Sequence, residues 1–146
     1  MRRELIIATA LFSLTSVVGA EDGNEQADAL LDQARATWAR NGLTDYSYTL
    51  ERGGAFGAGP KLRIRVEAGK CVQVTYWQTF LRREDTCDNR TVPELFDELD
   101  RAIQSRPVRV ELKFDQEFGY PIEVSVEPRT DLSDQQWWYS ISRFRH

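Results

Sequence analysis

The spacing of apolar and polar residues along the chain switches between the period of a helix and the period of a strand. Apolar residues three or four positions apart predict a first helix; they are Ala27, Leu30, Leu31, Ala34 and Trp38. A second helix is predicted from Thr91, with Glu94 completing a capping box, to Ser105-Arg106-Pro107. After each helix, three segments alternate apolar with polar residues, as half-buried strands do. These segments are 46–51, 62–67, 72–77, 108–114, 122–127 and 137–144.

This order of elements, αβββαβββ, predicts an α+β domain with two helices packed on one face of a six-stranded antiparallel sheet. Alternation in the strands implies that one sheet face is buried and the other is exposed to solvent. Each helix has a single apolar stripe, so both cover the same face. The two halves suggest a duplicated helix-plus-meander unit. The glycine-rich segment Gly53–Pro60 joins two strands and is predicted to be a flexible loop.

The first twenty residues have the features of a secretory signal peptide. Arg2 and Arg3 precede the apolar run Leu5–Val18, and Val18-Gly19-Ala20 has the small residues of a cleavage site. The apolar run is shorter than a helix needs to cross a bilayer, so we expect no membrane span. The prediction is a signal peptide at 1–20 and a single domain at 21–146 that is exported, either to a periplasm or out of the cell.

The charge balance and the side-chain inventory exclude several classes of function. The 146-residue chain has 19 basic and 23 acidic residues and a formal net charge of −4, which argues against a nucleic-acid partner. The one histidine, His146, and two cysteines provide neither a set of metal ligands nor an evident acid–base pair. We therefore expect no metal, no cofactor and no enzymatic activity.

The two cysteines, Cys71 and Cys87, both lie in the predicted exported domain. An oxidising compartment would pair them in a structural disulfide. A redox-active pair is the alternative, but the spacing is much longer than that of a Cys-x-x-Cys motif. The sequence therefore favours a structural bridge.

The polar face of the predicted sheet is the main candidate for a binding surface. By alternation it carries Arg63, Arg65, Gln73, Thr75, Trp77, Arg109, Glu111, Lys113, Glu123, Ser125, Trp138, Ser140 and Ser142. Trp77 and Trp138, set among basic residues, have the composition of an interaction hot spot. A covering loop, or the opposite parity of the last strand, would remove this surface.

A second candidate is the turn Asp115–Pro121, where Phe118 and Tyr120 would anchor a partner if they are exposed at its tip. For either surface, we expect the partner to be an envelope or extracellular protein, or a small ligand. The alternatives are an accessory envelope protein without a ligand, and an enzyme.

Four segments together resemble a known family: Tyr46–Arg52 (YSYTLER), Val66–Lys70 (VEAGK), Thr91–Phe96 (TVPELF) and Phe118–Pro121 (FGYP). In this order they are similar to a bacterial family of small exported proteins and lipoproteins known only as a domain of unknown function. The resemblance implies a bacterial origin and an envelope location, and it implies no activity. The predicted layout is also similar to that of secreted β-lactamase inhibitors, but layout alone does not imply function.

Overall fold

The structure is a computed structural model that describes residues 20–77, 86–129 and 135–146. The predicted signal peptide lies outside these residues except for Ala20. The predicted loops at 81–90 and 128–136 lie partly outside them.

Two helices and seven strands are present in the described residues. The helices are α1 (Ala20–Asn41) and α2 (Val92–Gln104). The strands are β1 (Tyr46–Gly54), β2 (Gly57–Ala58), β3 (Leu62–Glu67), β4 (Lys70–Tyr76), β5 (Arg109–Phe114), β6 (Pro121–Glu127) and β7 (Trp137–Arg145). The α+β class is confirmed, with one strand more than the sequence predicts.

The strands form one antiparallel sheet in the order β4-β3-β1-β7-β6-β5, and β2 pairs only with β1. Each half of the chain forms a three-stranded meander, and the pairing of β1 with β7 joins the two meanders. The extra strand, β2, lies in the segment predicted to be a flexible loop. It forms because Gly57, at φ 109°, lets the chain fold back tightly on β1.

Both helices cover the same face of the sheet, so that a single core forms. From α1 it takes Ala27, Leu31, Ala34 and Trp38, and from α2 it takes Val92, Leu95, Phe96, Leu99 and Ile103. Helix α1 begins at Ala20, and the prediction that it begins near Ala27 is wrong at that end. The first turns extend beyond the apolar stripe, and there the Asn24 amide donates a hydrogen bond to the Pro107 carbonyl at 3.4 Å.

The N-terminus of α2 is fixed by two tyrosines from the central strand β1. The buried backbone N–H of Val92 donates to the Tyr46 hydroxyl at 2.9 Å, and the Tyr48 hydroxyl donates to the carbonyl of Arg90. Burial raises the pKa of Tyr46 to about 12, against the opposing effect of the Val92 hydrogen bond. Burial also holds the pKa of Tyr48 well above its usual value, so both phenols remain neutral at physiological pH.

The capping box predicted at Thr91 completes this helix start. The Glu94 carboxylate accepts hydrogen bonds from the backbone N–H groups of Thr91 and Arg90, at 2.8 and 3.0 Å, and from the Thr91 hydroxyl. Partial burial raises the pKa of Glu94, but these hydrogen bonds outweigh it and leave the pKa below its usual value. The carboxylate thus stays ionised where the helix dipole favours a negative charge.

A second contact ties β1 to the middle of α2. The Arg52 guanidinium donates two hydrogen bonds of 2.8 Å to the two carboxylate oxygens of Glu98, and it lies over the ring of Tyr139. A bidentate pair of this kind fixes direction as well as distance. Glu98 therefore does not lie on a merely solvated face of the helix, because the inner face of β1 supplies its partner.

Cys71 and Cys87 form a disulfide, with their Cα atoms 5.6 Å apart. The bridge connects the edge strand β4 to the segment that leads into α2. Near it, β4 carries an extra residue opposite β3, and Val72 is exposed where alternation predicts burial. A bulge of this type disturbs the pairing of an edge strand.

We predict that Tyr46→Phe lowers the free energy of unfolding by about 1–3 kcal/mol, because the buried N–H of Val92 loses its acceptor. Chemical denaturation monitored by circular dichroism measures the change. The matched control is Tyr76→Phe, whose hydroxyl has no hydrogen-bond partner among the described residues; its effect should be within about 0.5 kcal/mol. Equal effects of the two substitutions would show that Tyr46 does not anchor α2.

Candidate functional site

The residues predicted for the polar sheet face share one face in the strand register. Direct pairs run across the sheet, from Thr75 to Arg63, from Thr49 to Ser142 and from Trp138 to Ser125. We call this surface the outer face. The parity of β7 is the predicted one at Trp138, Ser140 and Ser142, since Tyr139 and Ile141 point into the core.

In the half of the outer face formed by β5, β6 and the start of β7, both basic residues have a carboxylate partner. Arg109 pairs with Glu111, and Lys113 lies 3.8 Å from Glu123. Trp138 lies on the backbone of β1, where a Cβ built on Gly53 would come within 2.5 Å of the indole. Three of the predicted site residues (Arg109, Lys113 and Trp138) therefore have partners within the fold.

The other half of the outer face contains a small basic pocket. It has a volume of about 190 Å³ and is lined by Ser47, Tyr48, Thr49, Arg63, Trp77, Arg143 and Arg145. The guanidinium carbons of Arg63 and Arg143 each lie 4.3 Å from the centroid of the Trp77 ring. Cation–π contacts of this length hold two long, flexible side chains beside the pocket. We call these seven residues the basic pocket.

A β-bulge in β7 creates this pocket. Thr49 pairs with Ser142 and Ser47 with Arg145, so β7 has one more residue than β1 between the two pairs. Arg143 occupies the bulge with a φ of 54°. The extra residue turns Arg143 and Arg145 to the outer face and turns Phe144 inward, where its ring stacks on Tyr120 at 4.2 Å.

Simple alternation misses Arg143 and Arg145 because it continues past the bulge without a change of face. It would place Arg143 in the core beside Ile141 and would leave Phe144 in water. The sequence does carry a signal, since Ser142-Arg143 sets two polar residues side by side in a strand that otherwise alternates. A bulge accounts for that break in the pattern.

The basic pocket presents hydrogen-bond donors and no negative charge. Within residues 20–77, 86–129 and 135–146, no carboxylate forms a salt bridge with Arg63, Arg143 or Arg145. Thr49 is only 4% exposed, and its hydroxyl has no hydrogen-bond partner in the same residues. Elsewhere on the outer face the basic residues Arg65, Arg109 and Lys113 have carboxylate partners, so the arrangement favours a negatively charged ligand at the pocket.

The remaining predicted site residues lie away from the pocket. Arg65 is on the outer face, where it pairs with Glu67 at 3.3 Å. Phe118 and Tyr120 are half-buried and stack on Phe144, so the exposed turn tip expected from the sequence is absent. Gly119 explains this packing, because a Cβ there would lie 2.5 Å from the Ala34 carbonyl of α1. The turn docks against the helix instead of projecting into solvent.

No group of three or more histidine, cysteine, aspartate or glutamate side chains in the described part of the chain is placed to hold a metal ion. His146 packs its ring against Phe118, with the ring centroids 4.6 Å apart. Neither of the two helices has the length and apolar content that crossing a bilayer requires.

Comparison with known proteins gives one family. The model of a family of unknown function, DUF6174, matches residues 30–146. The search of curated proteins finds no match.

We predict that Arg143→Gly leaves the free energy of unfolding unchanged or raises it by up to about 1 kcal/mol. Relief of the left-handed backbone, about 1–2 kcal/mol, exceeds the loss of a cation–π contact, about 0.5–1 kcal/mol. Chemical denaturation measures the difference, and Arg143→Val should be clearly destabilising in the same assay because a branched side chain suits this φ poorly. A loss above about 1 kcal/mol for the glycine variant would mean that the fold itself requires the arginine side chain.

Proposed function

The chain belongs to the family of unknown function DUF6174, and we propose that it is a non-catalytic binding module that holds a negatively charged partner at the basic pocket. We further propose that the module is an exported bacterial domain. Its partner would then be an envelope or extracellular protein, or a small ligand.

The observation that carries the proposal is the difference in charge pairing between the two halves of the outer face. Arg109 and Lys113 have carboxylate partners, whereas Arg63, Arg143 and Arg145 have none among the described residues. In a chain with a net charge of −4, three guanidinium groups around one cavity form a local field of opposite sign. Such a field attracts and orients an anionic partner.

The left-handed backbone of Arg143 is compatible with this proposal, and Ala68, Asn89 and Arg106 share that conformation outside the pocket. A left-handed φ is uncommon for an arginine and costs about 1–2 kcal/mol, and a glycine would adopt it without that cost. Strained backbone of this kind is concentrated at functional sites. The side chain that the strained residue carries is one of those that line the pocket.

Trp77 supports the same assignment. It is half-buried and contacts the guanidinium groups of both Arg63 and Arg143. Tryptophan and arginine are the residues most enriched in binding hot spots, and a rigid ring reduces the entropy lost when flexible side chains are ordered.

Export is supported by the Cys71–Cys87 disulfide, because stable disulfides are typical of oxidising compartments. The features of residues 1–20 point the same way, with two basic residues, an apolar run and a small-residue cleavage site.

We predict that a bacterial envelope extract contains a component that is retained by the immobilised protein and released by salt. The variant Arg63→Ala/Arg143→Gly should lose that component, because it removes two of the three unpaired guanidinium groups. The matched control is Arg109→Ala/Lys113→Ala, which removes the same charge from the paired half of the same face and should retain the component. Mass spectrometry of the eluates makes the comparison.

The same retained set on all three proteins would contradict the proposal, as would a component lost only from the control variant. If the wild type and Arg63→Ala/Arg143→Gly retain the same components of the extract, the result would favour an accessory protein without a ligand.

A further inference from the structure

We propose that the basic pocket binds a phosphate dianion, either free or at the end of a monoester. This inference rests on the proposed function and names the chemistry of the group that enters the pocket.

The donor geometry of the pocket fits an oxyanion with several oxygen atoms. Each guanidinium group of Arg63, Arg143 and Arg145 offers a planar fork of N–H donors that can contact two oxygens at once. Thr49 and Ser47 line the same cavity, and their hydroxyls have no hydrogen-bond partner among the described residues and are free to donate. A group with three or more acceptor oxygens uses these donors better than a group with two.

The size of the pocket limits what can enter it. Small-molecule sites commonly enclose about 300–1,000 Å³, and the basic pocket has about 190 Å³. It therefore admits one compact group and leaves any substituent of that group in solvent. Several acidic side chains of one partner could not enter the pocket at the same time.

Charge then distinguishes a phosphate from a carboxylate. Three cationic groups face one small cavity, and a single entering carboxylate would bring one negative charge. A phosphate monoester carries about −1.5 to −2 charges at neutral pH and so neutralises more of the pocket within the volume of a single group. Arg63 and Arg143 both contact the Trp77 ring, so one side chain holds two of the three cations beside the cavity that the anion enters.

Chemical-shift titration of the arginine Nε–H and tryptophan indole resonances tests this directly, because it measures weak binding and locates it. The probes are inorganic phosphate, methyl phosphate, dimethyl phosphate and acetate, added to the folded protein at low ionic strength. We expect inorganic phosphate or methyl phosphate to shift the resonances of Trp77, Arg63 and Arg143 with an affinity at least tenfold above those of dimethyl phosphate and acetate. Tighter binding of methyl phosphate would identify an ester as the source, and tighter binding of inorganic phosphate would identify the free ion.

The pH profile provides a second readout. The second pKa of a phosphate monoester is about 6, so the affinity for methyl phosphate should rise by about tenfold from pH 5 to pH 7. Within the described residues, the charged groups that line the pocket are arginines, which stay protonated across this range. Tyr48 also lines it, and burial holds the pKa of that phenol above its usual value, so it stays neutral. The change therefore reports the ligand and not the residues that line the pocket.

Variants complete the test. Arg63→Ala should weaken methyl phosphate binding by tenfold or more, and Arg109→Ala should leave it unchanged. Acetate or dimethyl phosphate binding as tightly as methyl phosphate would overturn the proposal, as would a flat pH profile or the absence of any shift at Trp77. If any of these contradicting results appears while Arg63→Ala/Arg143→Gly still fails to retain a component that the wild type retains from the envelope extract, the ligand class is wrong and the binding function stands. If the extract experiment fails too, both fall.

Discussion

The pairing of β1 with β7, with one extra residue in β7, is the constraint on which both the core and the candidate site depend. On one side of the sheet it turns Phe144 inward, into a stack with Tyr120, Tyr46 and Phe118 that closes the core beneath Trp38 of α1. On the other side it brings Arg143 and Arg145 beside Arg63 and Trp77. A regular strand would place an arginine in the core and a phenylalanine in water. The bulge therefore resolves a packing conflict and assembles the basic pocket at the same position.

Strand β1 connects this pocket to the rest of the fold, because inward side chains of β1 contact α2 and other residues of β1 line the pocket. The inward residues Tyr46 and Tyr48 fix the start of α2, and Arg52 fixes its middle through Glu98. The residues between them, Ser47 and Thr49, line the basic pocket. The floor of the candidate site is thus part of the central strand, which packing holds on both sides. A site supported in this way keeps its geometry better than one built on a loop.

The hydrophobic pattern was sufficient to predict the class of fold, the six main strands and the face to which each residue of a regular strand belongs. Period-two alternation records burial directly, so it works wherever the ladder is regular. It fails at Val72, the extra residue of a bulge in β4, and at Arg143, where the extra residue also changes the face of Phe144 and Arg145. Trp77 and Trp138 are equivalent in the pattern, yet the second rests on Gly53 and the first contacts two arginines. That difference depends on residues of the neighbouring strand, and the pattern of a single strand holds no information about them.

The four segments that carry the family resemblance have structural roles in this chain: YSYTLER and TVPELF hold α2 on β1, VEAGK forms the turn between β3 and β4, and FGYP docks on α1. These roles are structural, and the proposed site lies mostly outside the four segments.

Nuclear Overhauser effects around β7 in solution test the bulge and the basic pocket together. We expect contacts from the Phe144 ring to the rings of Tyr120 and Tyr46, contacts from the Arg143 side chain to the Trp77 indole, and the strong intraresidue amide–Hα contact of a left-handed residue at Arg143. Contacts from the Phe144 ring to Trp77 and Ser47 would contradict this expectation, because they would show a regular strand with no bulge and no basic pocket.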